Sequence, residues 1–170
     1  MNSEFFKIYG AKERQDGIVV LSSNKACIYV GFGKDSEDAE SGYNWRKDYD
    51  HIPTIAEVKA DIEALINGEI EKKILSGFEW SGIKVWLSLE NQMNFKAAYD
   101  LAVQTDGQRL PKKMKLGEDG SGNAVYHTFE DLAEFTDFYT KAIAYVSDCL
   151  NEGWQEKDSI DYSVFVPADE

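Results

Sequence analysis

Apolar positions change their period several times along the chain. Residues 4–9 and 17–32 read as β-like. Gly17-Ile18-Val19-Val20-Leu21 and Ala26-Cys27-Ile28-Tyr29-Val30 are rich in β-branched residues, and turn-prone Ser22-Ser23-Asn24-Lys25 lies between them, which predicts a hairpin. From Gly33 to Asp50 the pattern is lost. This stretch is acidic, contains Gly and Ser, and is predicted to be a long loop. It carries Tyr43, Trp45 and Tyr49, many aromatics for a loop.

Helical spacing begins after Pro53. Ile55, Val58, Ile62, Leu65 and Ile66 recur on one face, and Thr54 with Glu57 three residues on forms a capping box. Asn67-Gly68 is expected to weaken or end this helix, with one further turn over 69–75 closed by Ser76-Gly77. Phe78 to Leu87 alternates around Ser81-Gly82, the pattern of a tight hairpin. Ser88 is predicted to cap a helix over 89–104 whose inner face is Leu89, Met93, Phe95 or the stem of Lys96, Ala97 and Leu101. The polar segment 105–122 reads as loop, and Ala124 to His127 as a short strand. Thr128, with Asp131 in the capping-box position, is predicted to start the longest helix. Its stripe is Phe129, Leu132, Phe135, Tyr139, Ala142, Ile143, Val146, Cys149 and Leu150, and Gly153 suits its end. Tyr162 to Val166 adds an edge strand or packs loosely. The class is α+β, with antiparallel β-hairpins packed with about three α-helices. One domain over 1–170 is expected, with a possible N-terminal β subdomain over 1–50.

Composition sharpens this picture. Of 170 residues 43% are hydrophobic and 13% aromatic, enough for a packed core, which excludes global disorder. No apolar run approaches the roughly 20 residues of a membrane span, so no membrane role is expected. Met1 to Phe6 lacks a basic region followed by an apolar stretch, so no signal peptide is expected. The default location is the cytoplasm of the producing cell, with association with a virion as the alternative. Cys27 and Cys149 read as small buried hydrophobes. The net charge of −13 opposes direct nucleic-acid binding, which needs a positive footprint, and it tolerates basic partners. Acids cluster over 35–50 and 148–170. Between these stretches lies one basic patch: Arg109, Lys112, Lys113 and Lys115.

No motif for catalysis is complete. Gly31-Phe32-Gly33 lacks the third glycine and the following helix of a dinucleotide fingerprint. Asp119, Ser121, Asn123, His127 and Glu130 have the spacing of a calcium loop, but Ala124 stands where the turn needs glycine. His51, His127 and Cys27 supply the raw material of nucleophilic catalysis without a surrounding motif. Acids are frequent enough that carboxylate pairs arise by chance. No catalytic residue, cofactor-binding residue, metal ligand or cofactor is therefore assigned. Trp80 and Trp86 read as core or half-core. Tyr43, Trp45 and Tyr49 are the candidate partner-contact residues, because a loop tryptophan must pack on something to offset its ordering entropy.

The run from Phe78 through Trp80, Gly82, Val85, Trp86 and Ser88 to Gln92, Asn94 and Phe95 resembles an uncharacterised domain family of phage tail-fibre, tail-associated and small prophage proteins. Thr128, Leu132 and Phe135 extend the likeness, which covers roughly residues 75–155. The resemblance implies a phage or prophage origin and a virion or assembly role. It carries over no functional residue. The expected function is that of a non-enzymatic structural or assembly-associated protein acting through protein partners, with phage structural proteins as candidates. An acidic decoy that mimics nucleic acid and inhibits a host nucleic-acid-binding protein is the alternative, and a small hydrolase the third reading. The oligomeric state is open.

Overall fold

The structure is a computed structural model, described over residues 4–167. Among these residues it has three α-helices and eight strands in antiparallel sheets, an α+β fold. The chain divides into two compact units, residues 1–66 with 159–170, and residues 67–158.

The first unit is built on a four-stranded antiparallel sheet of β1 (Phe6–Ala11), β2 (Gly17–Ser22), β3 (Lys25–Gly33) and β4 (Gly42–Tyr49), in the order β1-β4-β3-β2. The expected hairpin over 17–32 is β2–β3. The expected loop over 33–50 is corrected: its second half is β4, an inner strand paired on both sides. Its polar residues disguised it, because they have partners. Asn44 is only 2% exposed; its Oδ1 accepts from the Gln15 amide at 3.1 Å and its Nδ2 donates to the Glu13 carbonyl at 3.2 Å. Asp16 accepts from the Gly31 amide at 2.8 Å, a second tie between the 12–16 segment and the sheet. A buried amide with both groups bonded escapes the desolvation cost that would otherwise exclude it.

Helix α1 (Ile55–Ser76) begins at the predicted capping box. The Thr54 amide donates to Glu57 Oε2 at 2.8 Å, and the Glu57 amide to Thr54 Oγ1 at 3.3 Å. The unit boundary falls within this helix. Val58 and Ile62 are fully buried with Ala26 and Ile28 of β3. The helix does not end at Asn67-Gly68 but continues to Ser76. Gly68 costs about 1 kcal/mol relative to alanine. Good helix formers follow it, and Ile74 packs on the core of the second unit. At the C-terminal end, Tyr162–Phe165 is a 3-10 turn rather than a strand, with Phe165 fully buried.

The second unit holds β5 (Phe78–Trp80), β6 (Ile83–Val85), α2 (Leu89–Gln104), β7 (Lys112–Glu118), β8 (Ala124–Phe129) and α3 (Leu132–Asp158). Ser81 and Gly82 both have positive φ, 50° and 76°, the two-residue turn whose twist suits a hairpin. Ser88 caps α2 by accepting from the Asn91 amide. Asn91 and Gln92 then donate side-chain bonds to the Trp86 and Leu87 carbonyls at 2.8 Å, binding the hairpin to the helix.

Four further expectations fail here. The polar loop over 105–122 contains β7, three of whose seven residues are exposed lysines that gave the segment its loop-like polarity. The longest helix starts three residues late. Asp131, not Thr128, is its cap and accepts from the Glu134 amide at 2.9 Å, while Thr128 and Phe129 extend β8 opposite Lys113 and Lys112. This helix also passes Gly153 and continues to Asp158. A Cβ at Gly153 would lie 2.9 Å from Ile70 Cγ1, so close helix packing explains that glycine better than termination does. Finally, α2 presents a different face to the core. Phe95 and Ala102 are buried, whereas Leu89, Met93 and Leu101 are exposed.

Candidate partner-contact surface

Alternate residues of a strand share a face. In β4 one face is Tyr43, Trp45, Lys47 and Tyr49. Pairing with β1 puts Tyr9 opposite Tyr43 and Lys7 opposite Trp45, so Lys7, Tyr9, Tyr43 and Trp45 share it. The rings interlock edge to face. The Tyr9 and Tyr43 centroids lie 5.7 Å apart, and those of Tyr43 and Trp45 5.5 Å. Lys7 Nζ sits 4.0 Å above the Tyr43 ring and 5.7 Å from that of Trp45, and it is paired with Asp35 at 2.7 Å. Tyr9 is 62% exposed, and Tyr43 and Trp45 are half-buried.

Asp35 organises the charge here. Its hydrogen bond from Lys7 holds its carboxyl below the usual range, and the same bond raises the lysine. A hydrogen bond with Asp35 also raises the Tyr9 phenol. The result is an aromatic platform with a cation laid over it, spread across the edge strand β1 and the inner strand β4.

Glycine makes room for the platform. A Cβ at Gly33 would lie 2.5 Å from the Tyr43 hydroxyl oxygen, so the ring occupies the space a side chain would need. The Gly31-Phe32-Gly33 run therefore belongs to β3 and serves ring packing.

Of the three candidate contact residues, the structure brings Tyr43 and Trp45 together. Tyr49 sits roughly 20 Å along the strand from Tyr43, at about 3.3 Å per residue. It is 6% exposed, and its hydroxyl donates to Asp61 at 2.6 Å. Lys47 bonds the other oxygen of that carboxylate at 2.6 Å. Sequence reasoning missed Lys7, Tyr9 and Asp35. The period-two spacing of Tyr43, Trp45 and Tyr49 was the available signal for a strand.

Burial, then the bond to Asp61, pushes the Tyr49 phenol far up. Its folded pKa therefore exceeds the unfolded value of about 10. The associated stability is complete below about pH 10 and is lost above it, as the unfolded chain releases a proton the folded chain keeps. Tyr145, pushed up to about 12 chiefly by burial, acts in the same direction. Urea midpoints should therefore fall from about pH 10 upward, and Tyr49→Phe should flatten that decline by at most about 1.4 kcal/mol per pH unit. An unchanged slope in Tyr49→Phe would contradict the burial of this hydroxyl.

The other candidates have structural partners. Both ring nitrogens of His51 meet carboxylates, Asp50 at 3.0 Å and Glu57 at 3.2 Å, and the Asp50 bond is the main cause of its raised pKa. His127 Nε2 meets Glu134 at 2.8 Å, with its ring edge-on to Trp80 and Phe129. Cys27 is buried in β3, and burial pushes its thiol up, away from the reactive thiolate. The Asp119 carboxylate accepts from the Ser121 and Asn123 amides and from Asn123 Nδ2, which closes the β7–β8 turn. Trp80 is buried and donates to Asp137 at 3.0 Å, while Trp86 is 41% exposed. Among the described residues no three His, Cys, Asp or Glu side chains are grouped to hold a metal ion, and no helix is long and apolar enough to cross a membrane.

No family model, no curated protein and no solved structure matches the chain.

Proposed function

We propose that the protein is a non-enzymatic structural or assembly-associated component of a phage or prophage, acting through protein contacts at the Tyr9–Tyr43–Trp45 surface. The observation that carries the contact reading is this half-exposed ring cluster across β1 and β4. Aromatic side chains supply large contact area, and rings already fixed by edge-to-face packing and by Lys7 lose little freedom on binding. The phage assignment rests on the resemblance over Phe78 to Phe95.

The decoy reading asks for carboxylates left free to imitate backbone phosphates. In the 35–50 stretch, Asp35 is paired with Lys7 and Asp48 with Arg46, each at 2.7 Å, and Asp50 with His51 at 3.0 Å, which leaves Glu37, Asp38 and Glu40 for such mimicry. Asp169 and Glu170, at the end of the other acidic stretch, lie outside the described residues. The contact reading is therefore the better supported.

Phage structural proteins presented to the immobilised full chain provide the test. Trp45→Ala and Tyr43→Ala should each weaken capture by at least about tenfold, while Tyr49→Phe should leave it intact. Unchanged capture and unchanged particle assembly in both alanine variants would remove the proposed surface.

A further inference from the structure

Helix α2 is apolar on two sides. Phe95 and Ala102 enter the core of the second unit, while Leu89, Met93, Ala97 and Leu101 follow one another at four-residue spacing on the outer side. Leu89 is 74%, Met93 65% and Leu101 45% exposed. One exposed leucine needs no explanation, but a line of apolar residues along a helix is the ridge that another helix packs against.

Strand β7 runs beside this ridge. A groove of about 460 Å³ separates them, with Ala97 and Leu101 on one wall and Lys112, Lys113, Met114 and Lys115 on the other. Lys115 is paired with Glu118 at 2.8 Å, and Lys113 lies 4.7 Å above the Tyr126 ring. Among the described residues neither Lys112 nor Lys113 is paired with a carboxylate. The chain has 31 acids and a net charge of −13, yet among the described residues no carboxylate pairs with these two ammonium groups. The local charge is opposite to the global one.

We infer that the α2 ridge and Lys112–Lys113 form a docking groove for an acidic amphipathic helix of a partner protein. The apolar face of that helix covers Met93, Ala97 and Leu101, and its carboxylates meet the two free lysines. Charge complementarity selects an acidic partner over a basic one. It also disfavours a second copy of this chain, whose charge repels its own. The aliphatic wall selects a peptide over a nucleic-acid strand, which asks for a longer cationic track and stacking rings. This groove does not rest on the Tyr9–Tyr43–Trp45 reading.

The probe is a fluorescent helical peptide with a leucine face and glutamates elsewhere, compared with the same peptide carrying glutamine for glutamate. Anisotropy with the full chain should show the glutamate peptide binding at least about tenfold more tightly, with the difference shrinking as salt rises. Lys112→Gln with Lys113→Gln should erase the difference between the peptides. Met93→Ser with Leu101→Ser should weaken both by about tenfold. All four side chains are at or near the surface, and circular dichroism melts verify that the variants fold. Trp45→Ala should leave peptide binding unchanged, which separates this groove from the aromatic surface. Equal binding of the two peptides would overturn the proposal, as would insensitivity to Met93→Ser with Leu101→Ser. A dimer of the free chain dissolved by Met93→Ser would give the ridge to a second copy, and preferential binding of a single-stranded oligonucleotide would make the groove a nucleic-acid site. Either result rejects the acidic helix.

Discussion

Phe138→Ala should lower stability by about 3–5 kcal/mol, a large part of the roughly 5–15 kcal/mol that holds a typical domain folded. Phe138 is fully buried in α3 at the centre of the second unit's aromatic cluster. Its ring meets Phe95 of α2 edge-on at 5.1 Å, Trp80 of β5 edge-on at 5.3 Å and Phe129 of β8 at 5.0 Å. One side chain thus joins four elements. Removing it loses the transfer energy of the ring and leaves a void whose other walls are also rings, rigid groups that collapse poorly into empty space. Phe138→Leu keeps most of the volume and should cost less than about 1.5 kcal/mol. The urea midpoint and amide exchange within α3 measure both variants. A loss below about 1 kcal/mol in Phe138→Ala would mean that the cluster is not packed as described.

The sequence was clearest where local chemistry decides the local structure. Thr54 with Glu57, Ser81-Gly82 and Ser88 each commit the backbone through bonds or dihedrals within a few residues, and each element they mark is present. It was misleading where distant partners decide. Asn44 and Arg46 look like loop residues until the 12–16 segment and Tyr29 supply their hydrogen bonds, and Asp48 is satisfied in turn by Arg46. Thr128 and Asp131 are both competent caps. The choice falls on Asp131 because Phe129 pairs with Lys112 and prolongs β8. Helix α2 offered two apolar faces, and periodicity alone could not tell which one meets Phe138. The contact surface divides in the same way. Tyr43 and Trp45 were visible as aromatics needing a partner. Lys7 and Tyr9 join them only through the β1–β4 register, across more than thirty residues of chain, and no local pattern encodes that pairing.

Gly42→Ala should be as informative for the first unit. A Cβ there would lie 2.2 Å from the Gly33 carbonyl oxygen and 2.7 Å from two carbons of the Phe32 ring. The ring can turn away. The carbonyl belongs to the backbone of the neighbouring strand, so β3 and β4 must move apart at this point. Overpacking of this kind costs about 1–3 kcal/mol, and the backbone obstacle places Gly42→Ala at or above the upper end. Gly33→Ala differs in kind. Its new Cβ would meet the far end of the Tyr43 side chain, which can swing aside, so stability should change by no more than about 1 kcal/mol while the Tyr9–Tyr43 ring contact is lost. Urea midpoints read the first effect, and ring-to-ring Overhauser contacts between Tyr9 and Tyr43 read the second. If the two variants were equally stable, the strands would have more room than this register gives them. If Gly33→Ala kept the ring contact and Gly42→Ala lost it, the platform would depend on strand separation alone. If Gly33→Ala loses the contact at little cost in stability, it becomes the variant in which the platform can be disarmed without unfolding the sheet that carries it.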